Sequence, residues 1–379
     1  MKIQIITYSR TKNYGGILQA YGLFKYLSDS KYDVEFIDYL PPRCNVENKE
    51  IFTENTVWMS KIWGRNAFSK KIWKIVMYPK VKKNFAPFRS FLDSRAKFTD
   101  RYESIDELIH KTPEADIYIT GSDQVWNSQL GKSKSLDDSF FLSFVKGVKK
   151  ISYAPSFGGS TLSEREAVEI KELLSDYSHI SVRESGGQKL LSDIGIKSEI
   201  VVDPTILCNP TVWHRLVEKK STCDSIFLYL INFDSRIYQL ARKTALVLDK
   251  KLKIIVLNQS EKYKYIKNWK DVLICPSVEN WLSSICNADF VITNSFHACV
   301  FSIVFHTKFI VNTSSRKNMS DRIVDLLGKT GFENKILDDF DYSKCVKLYE
   351  SEYDFVISDK SLEMYRHESA QWIENAINN

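Results

Sequence analysis

No run in this 379-residue sequence approaches the roughly 18 consecutive apolar residues a membrane-spanning helix needs. The Ala298–Phe305 stretch has only the length of a buried helix. Cysteine is scarce and badly placed for cross-linking. The seven residues are odd in number and scattered, with no C-x-x-C pair, which argues against a disulfide frame or a zinc site and for reduced thiols in a cytosolic protein. No metal ligand set is expected. The N-terminal Met-Lys-Ile-Gln-Ile-Ile-Thr-Tyr is too short in apolar residues for a secretory core and alternates like a first β-strand. Neither an RNA-binding nor a helix-turn-helix signature is found, so nucleic acid is not an expected partner.

What is present is the composition of a globular protein, 44% apolar and 26% charged, in a chain too long for one ordinary core. The net charge of +6 is unevenly spread. Between Ser60 and Arg101 twelve Lys and Arg face two acids, a surplus of ten, so the remainder carries about −4 (6 − 10). The basic character is local. That stretch, with Trp63, Phe68, Trp73 and Phe88 among its lysines, reads as one or two helices interrupted at Pro79 and Pro87. Three readings stay open for it: a solvated helix face with its aromatics in the core, an anionic membrane surface, or nucleic acid.

Along the chain, strand and helix patterns alternate. Lys2–Tyr8, a polar glycine-bearing loop, Ile17–Ser28 and Val34–Tyr39 form a β-loop-α-β unit, the opening of a doubly wound sheet. Strands follow at Asp116–Thr120, Lys150–Tyr153, His179–Val182 and Glu199–Val202. After Asn209-Pro210 the alternation restarts, with strands at Ser225–Ile231, Lys253–Leu257, Val272–Cys275, Phe290–Thr293 and Lys308–Asn312. The expected architecture is α/β, two Rossmann-like domains facing a cleft in the GT-B manner. Residues 1–208 form the first domain, with a basic-aromatic insertion at 56–101, and residues 209–360 the second. A last helix within 361–379 crosses back to the first domain.

Open parallel sheets bind ligands outside the carboxyl ends of their strands, and each such end here carries polar residues. At Asn294-Ser295-Phe296-His297 a strand runs straight into a helix, so Asn294 or Ser295 caps it and His297 sits in the first turn, beside free N–H groups and the positive end of the helix dipole. This is an anion site, or else a capped turn whose histidine merely satisfies the loop. Arg183 ends its strand before a helix and either grips a carboxylate or phosphate bidentately or pairs with Glu184 or Asp203. Asp203, before Pro204, is a base or a turn cap. Gly15-Gly16 lets backbone approach a ligand but lacks the spacing of a dinucleotide loop. Gly121-Ser122-Asp123-Gln124-Val125-Trp126-Asn127 mixes hydrogen-bonding groups with one indole, as sugar sites do; a structural loop is the alternative.

Six segments, taken together, are similar to the polysaccharide pyruvyl transferase family. They are Asn13-Tyr14-Gly15-Gly16-Ile17-Leu18-Gln19-Ala20-Tyr21, Gly121 through Asn127, Ser152-Tyr153-Ala154-Pro155-Ser156-Phe157-Gly158, Ser181-Val182-Arg183-Glu184-Ser185, Val202-Asp203-Pro204-Thr205 and Asn294-Ser295-Phe296-His297-Ala298, in the family's order. The resemblance runs from residue 2 to about 337. It implies a GT-B-like fold and transfer of the enolpyruvyl carbons of phosphoenolpyruvate to sugar hydroxyls, usually as a cyclic ketal, with no further cofactor. It implies that His297 belongs to the phosphoenolpyruvate motif. An imidazole titrates near neutrality, so His297 is the expected acid or base of that reaction, with Asp123 or Asp203 taking the hydroxyl proton. Arg183 corresponds to an upstream arginine on the same ligand. Asn13, Gly15, Gly16, Gln19, Ser122, Gln124, Trp126 and Asn127 fall to the acceptor side, and Ser295 and Phe296 to the donor side. Many members carry Arg-Leu-His where this chain has Ser295-Phe296-His297, so one cationic contact must come from elsewhere; Arg316, Lys317 and Arg322 are the candidates. The acceptor is expected on a polyprenyl diphosphate carrier, and the protein in the cytoplasm, peripheral on the inner face of the plasma membrane. A GT-B glycosyltransferase with a nucleotide-sugar donor, or a non-catalytic partner in polysaccharide assembly, are the rival readings.

Overall fold

A computed structural model describes residues 1–42, 45, 67–129, 135–159, 161–218, 224–313 and 320–379. The first half begins with β1 (Lys2–Ile6), α1 (Tyr14–Asp29), β2 (Asp33–Tyr39) and α2 (Ala67–Asp93). It continues through β3 (Phe98–Tyr102), α3 (Ile105–His110), β4 (Ile117–Thr120), β5 (Lys149–Ser152), α4 (Glu164–Leu173), β6 (His179–Val182), α5 (Ser185–Asp193) and β7 (Glu199–Ile200). Two short proline-initiated helices, α6 (Pro204–Leu207) and α7 (Pro210–His214), lead into the second half. There β8 (Ser225–Tyr229), α8 (Ser235–Val247), β9 (Lys251–Val256), α9 (Gln259–Lys262), β10 (Val272–Ile274) and α10 (Val278–Cys286) are followed by β11 (Phe290–Thr293) and α11 (Phe296–Val304). The chain closes with β12 (Phe309–Asn312), α12 (Ser320–Thr330), β13 (Ile336–Leu337), α13 (Tyr342–Glu350) and α14 (Phe355–Asn378).

The two sheets repeat one topology. The first is ordered β3-β2-β1-β4-β5-β6-β7 and the second β10-β9-β8-β11-β12-β13, with every pairing parallel. Both are the classical doubly wound order, in which strand order reverses beside the first strand and opens a crevice there. One sheet therefore opens its crevice between β1 and β4, the other between β8 and β11. Central strands such as Ile117–Thr120 and Phe290–Thr293 are buried throughout, which is why their sequences read as apolar runs rather than alternations.

The basic stretch departs from its sequence pattern in two respects. Helix α2 runs unbroken past Pro79 and Pro87, and Phe98–Tyr102 is an edge strand paired with β2 rather than part of an inserted helix. Strand β3 was masked by its charge: Asp100 and Arg101 are exposed, as an edge strand allows.

The halves share a core. One apolar cluster includes Ile3, Tyr14 and Phe88 of the first half and Phe227, Trp281 and Phe301 of the second. Tyr14 stacks on Trp281 at 5.1 Å and meets Tyr229 edge-on at 6.0 Å, while Trp213 meets Phe301 at 5.3 Å. Each such pair contributes about 0.5–1.5 kcal/mol beyond its buried area. Polar ties cross the same boundary: the Tyr14 hydroxyl donates to the Pro276 carbonyl at 2.8 Å, Arg95 pairs with Glu279 at 2.9 Å, and the Ser185 hydroxyl donates to Asp325 at 2.8 Å. Helix α14 returns to the first half, where Ser369 accepts from the Val202 amide at 3.0 Å and Glu374 accepts from Tyr32 at 2.8 Å.

Candidate active site

The two crevices meet at α1 and α11. Ser295 is the N-cap of α11, its hydroxyl accepting from the Ala298 amide at 3.3 Å, while Thr293 holds the Ser295 amide at 3.0 Å. Phe296 and His297 thus occupy the first two helical positions, whose amides have no partner within a helix. On the other side, Asn13 caps α1 by accepting from the Gly15 and Gly16 amides at 3.0 and 3.4 Å. The imidazole of His297 lies close against that turn. A Cβ placed on Gly15 would stand 2.0 Å from His297 Nδ1, and one on Gly16 would stand 3.2 Å from Asp123 Oδ2. Gly15 is therefore needed for close approach between the halves, at His297, and Gly16 for close packing within the first half, against Thr11 at 2.6 Å and Asp123.

Behind His297 is a buried charge cluster. Arg183 Nη1 donates to Asp203 Oδ2 at 2.7 Å and reaches the Ser122 hydroxyl at 3.5 Å. His297 Nε2 stands 3.6 Å from the same Asp203 oxygen, an ion-pair rather than a hydrogen-bond distance. Asp203 also caps α6, accepting from the Thr205 amide and hydroxyl at 2.9 and 2.7 Å. Burial works against its charge, but His297, Arg183 and the Thr205 amide together hold its carboxyl far below the usual carboxylate range. Burial likewise opposes the charge of Arg183, and Asp203, Glu184 and Asp123 more than restore it. Glu184 is buried with them, taking the Ser156 hydroxyl at 2.5 Å and lying 3.5 Å from Arg183 Nε.

A second guanidinium completes the group. Arg183 and Arg322 lie 5.4 and 5.9 Å from the ring centroid of Phe296, both within cation–π range. Arg322 is buried, and burial together with Arg183 brings it down to about 10, although Glu184, Asp123 and Asp203 partly compensate. Among the described residues no carboxylate stands within ion-pair distance of Arg322.

Asp123 is backbone-strained, with φ of +80°, a conformation in which a non-glycine residue is uncommon. The same residue forms a parallel bridge to Pro155, in which the Ser156 amide donates to the Asp123 carbonyl at 2.8 Å. The bridge fixes the loop after β4 against the loop after β5.

The structure thus brings together His297, Asp203, Arg183, Asp123, Gly15, Gly16, Asn13, Ser122, Ser295, Phe296 and Arg322. It sends others elsewhere. Trp126 is no sugar platform: it is 1% exposed, stacked on Phe141 at 5.2 Å, with its indole N–H donating to the Phe140 carbonyl. The aromatic lies in a core cluster, packed against Phe141 and Phe157. Gln124 and Asn127 bind each other at 2.8 Å and brace Gly158. Gln19 is buried, donating to the Gly16 carbonyl and the Thr7 hydroxyl. Arg316 and Lys317 lie outside the described residues. Two further residues join the site: Ser156, at a strand end that the sequence also offers as a ligand-binding position, and Glu184, read from the sequence only as a possible ion-pair partner of Arg183. Among the described residues no group of His, Cys, Asp and Glu can hold a metal ion.

Residues 13–315 match the sequence family described as polysaccharide pyruvyl transferase. No curated protein matches the sequence. Among solved structures, the UDP-N-acetylglucosamine 2-epimerase of Rickettsia bellii superposes with a TM-score of 0.54 at 9% identity, over 100% of this chain and 97% of that one. The UDP-GlcNAc 2-epimerase of Neisseria meningitidis, bound to UDP-GlcNAc, gives 0.52 at 8% identity over 100% and 99%. HepE of Anabaena, in complex with UDP and glucose, gives the same score, identity and coverage. At such identities the likeness establishes the fold, two Rossmann-like domains in the GT-B arrangement.

Proposed function

The chain belongs to the polysaccharide pyruvyl transferase family and is a transferase acting on polysaccharide; on that premise we propose that it moves the enolpyruvyl group of phosphoenolpyruvate onto hydroxyls of a lipid-linked surface-polysaccharide precursor, closing a pyruvate ketal at the cytoplasmic face of the membrane. The observation that carries this reading is a buried cluster whose polar atoms lack hydrogen-bond partners: His297 Nε2, Arg183 Nε and Nη2, and Glu184 Oε2. Arg183 Nε has only Glu184 Oε2 at 3.5 Å and His297 Nε2 only Asp203 Oδ2 at 3.6 Å, both ion-pair distances. Buried polar groups are nearly always satisfied, so these unmet donors favour an anionic ligand. Arg183 Nη2 is the donor left for its carboxylate or phosphate. Arg322 and the open first turn of α11 add positive potential, and Arg322 supplies the cation that Ser295 does not.

The reaction protonates the methylene carbon, which makes C2 oxocarbenium-like. A sugar hydroxyl attacks C2 and gives up its proton, phosphate leaves with the C–O bond electrons and takes a proton, and a second hydroxyl closes the ketal, its proton returning to the group that protonated the methylene carbon. His297 is the proton donor, because an imidazole exchanges protons near neutrality. Asp203, locked to Arg183 and Thr205, is too strongly held as an anion to act as a base. It is the carboxylate that stands 3.6 Å from His297 Nε2 and puts fixed negative charge beside the ring. Asp123, partly exposed on the far side of the α1 turn, is the carboxylate placed to take the hydroxyl proton.

Incubation with phosphoenolpyruvate and a panel of polyprenyl-linked galactose, mannose, glucose and N-acetylhexosamine acceptors tests the reading. Phosphate release with a mass gain of one pyruvyl unit is the expected result. Consumption of a sugar nucleotide instead establishes a glycosyltransferase, and binding of neither phosphoenolpyruvate nor any lipid-linked sugar establishes a non-catalytic partner.

A further inference from the structure

Helix α2 carries two apolar faces, and the core accounts for one of them. Its C-terminal half buries Phe85, Phe88, Phe91 and Leu92, all 4% exposed or less. Phe88 packs on Tyr14 at 4.7 Å and Phe91 on Tyr21 at 5.3 Å, fastening the helix to α1. Its N-terminal half exposes Phe68 at 74%, Ile75 at 66% and Val76 at 52%. At the helical 100° per residue, Phe68, Ile72, Ile75, Val76 and Pro79 share an arc of about 100°, centred about 180° from the core-facing side chains. The outward stripe is thus not an unfinished part of the core. Exposed Lys71 and Lys82 border it on one side and exposed Lys80 on the other, while exposed Lys83 closes the stripe at its C-terminal end. From residue 67 to 92 the sequence holds seven Lys and Arg and no acid.

We infer that the N-terminal half of α2 lies in the headgroup region of an anionic lipid surface, with Phe68, Ile75 and Val76 inserted and the lysines on phosphate. An apolar stripe edged by lysines is the form of an interfacial helix, whose apolar face sinks about 5–10 Å into the headgroup boundary. Charge selects lipid over a second copy of the chain, because two such faces brought together set lysine against lysine with no acid to relieve them. The helix continues through Phe88 and Phe91 to α1, whose first turn bears on His297, and Arg95 beyond it reaches Glu279 of the second domain. The lipid contact is therefore built onto an element of the cleft itself. This inference stands apart from the identity of the donor, since its test is binding and not turnover.

The test is co-sedimentation of the full chain with vesicles of phosphatidylglycerol and phosphatidylcholine, and of phosphatidylcholine alone, at low and high salt. The protein is expected to partition onto the anionic vesicles only, and less so at high salt. The triple change Lys71→Gln, Lys82→Gln, Lys83→Gln is expected to lower partitioning roughly a hundredfold, at about fivefold per lysine. Phe68→Ser, Ile75→Ser, Val76→Ser is expected to abolish the salt-resistant part. Val168→Ser with Leu246→Ser, which alters exposed apolar residues elsewhere, is expected to leave partitioning unchanged. Equal binding to neutral and anionic vesicles overturns the inference. So does a serine triple variant that binds vesicles normally, or one whose only change, by light scattering, is conversion of a dimer to a monomer.

Discussion

Replacing Gly15 with alanine places a methyl group against the imidazole of His297. The new Cβ would stand 2.0 Å from Nδ1, 2.4 Å from Cγ and 2.6 Å from Cε1, whereas ordinary contact begins near 3.4 Å. The ring must therefore retreat by about 1.4 Å (3.4 − 2.0), or the two halves must part by a comparable amount. A misplacement of about 1 Å in a catalytic group costs on the order of a hundredfold in rate. The cost in stability is smaller. Overpacking of this kind typically takes about 1–3 kcal/mol, and alanine returns up to about 1 kcal/mol through its better helix propensity. The expected outcome is a fall of about a hundredfold in phosphate release from phosphoenolpyruvate, with the melting temperature lowered by only a few degrees. Gly159→Ala, whose added methyl meets nothing within 4 Å, is the matched control and should retain full turnover. A Gly15→Ala protein that is folded and turns over within threefold of the native rate refutes the placement of His297 at the reacting centre.

Asp203→Asn keeps the shape of the side chain but leaves the buried Arg183 guanidinium short of its closest partner, and should destabilise the fold by about 3–5 kcal/mol in urea titrations at neutral pH. Because the folded-state pKa of Asp203 is lowered, its stabilising contribution is fully present above the unfolded value of about 3.9 and is lost as pH falls below it. The native protein should therefore lose more stability between neutral pH and the acid limb than the Asn variant does, and parallel acid limbs would contradict this. Burial raises the Cys208 and Cys345 thiols to about 12 and Cys275 to about 11, and pushes Cys299 up as well. All four should resist iodoacetamide in the native protein near neutral pH and react after unfolding, as peptide mass mapping would record.

Much of the architecture was legible because local patterns carried it. Buried parallel strands announce themselves as short apolar runs, and strand ends with Asn13, Arg183, Asp203 and Ser295 carry capping chemistry that reads the same in sequence and in space. Edge strand β3 escaped, because a solvated strand can hold Asp100 and Arg101 and so loses the apolar signal. Trp126 misled for a related reason: an indole beside polar residues is compatible with a sugar platform or a core, and only the path of the β4 loop distinguishes them. The stripe on α2 was visible as basic and aromatic, but its direction was not, since nothing in a periodicity states which face meets the protein.

By itself the sequence determined the two doubly wound sheets, the strand-to-helix turns and the chemical character of each turn, because those depend on residues close together in the chain. The tertiary structure decided which turns share a site. Gly15 and His297 are separated by most of the chain, and their contact exists only because two sheets of the same topology pack crevice to crevice around Tyr14 and Trp281. For Arg183 the sequence left an anion grip and an ion pair with Glu184 or Asp203 open, and for Asp203 a base or a turn cap; in the structure Arg183 and Asp203 form a buried ion pair and Asp203 caps its turn. That packing puts Asp203 between Arg183 and His297, at 2.7 and 3.6 Å from the one carboxylate oxygen, a relation that no local pattern encodes.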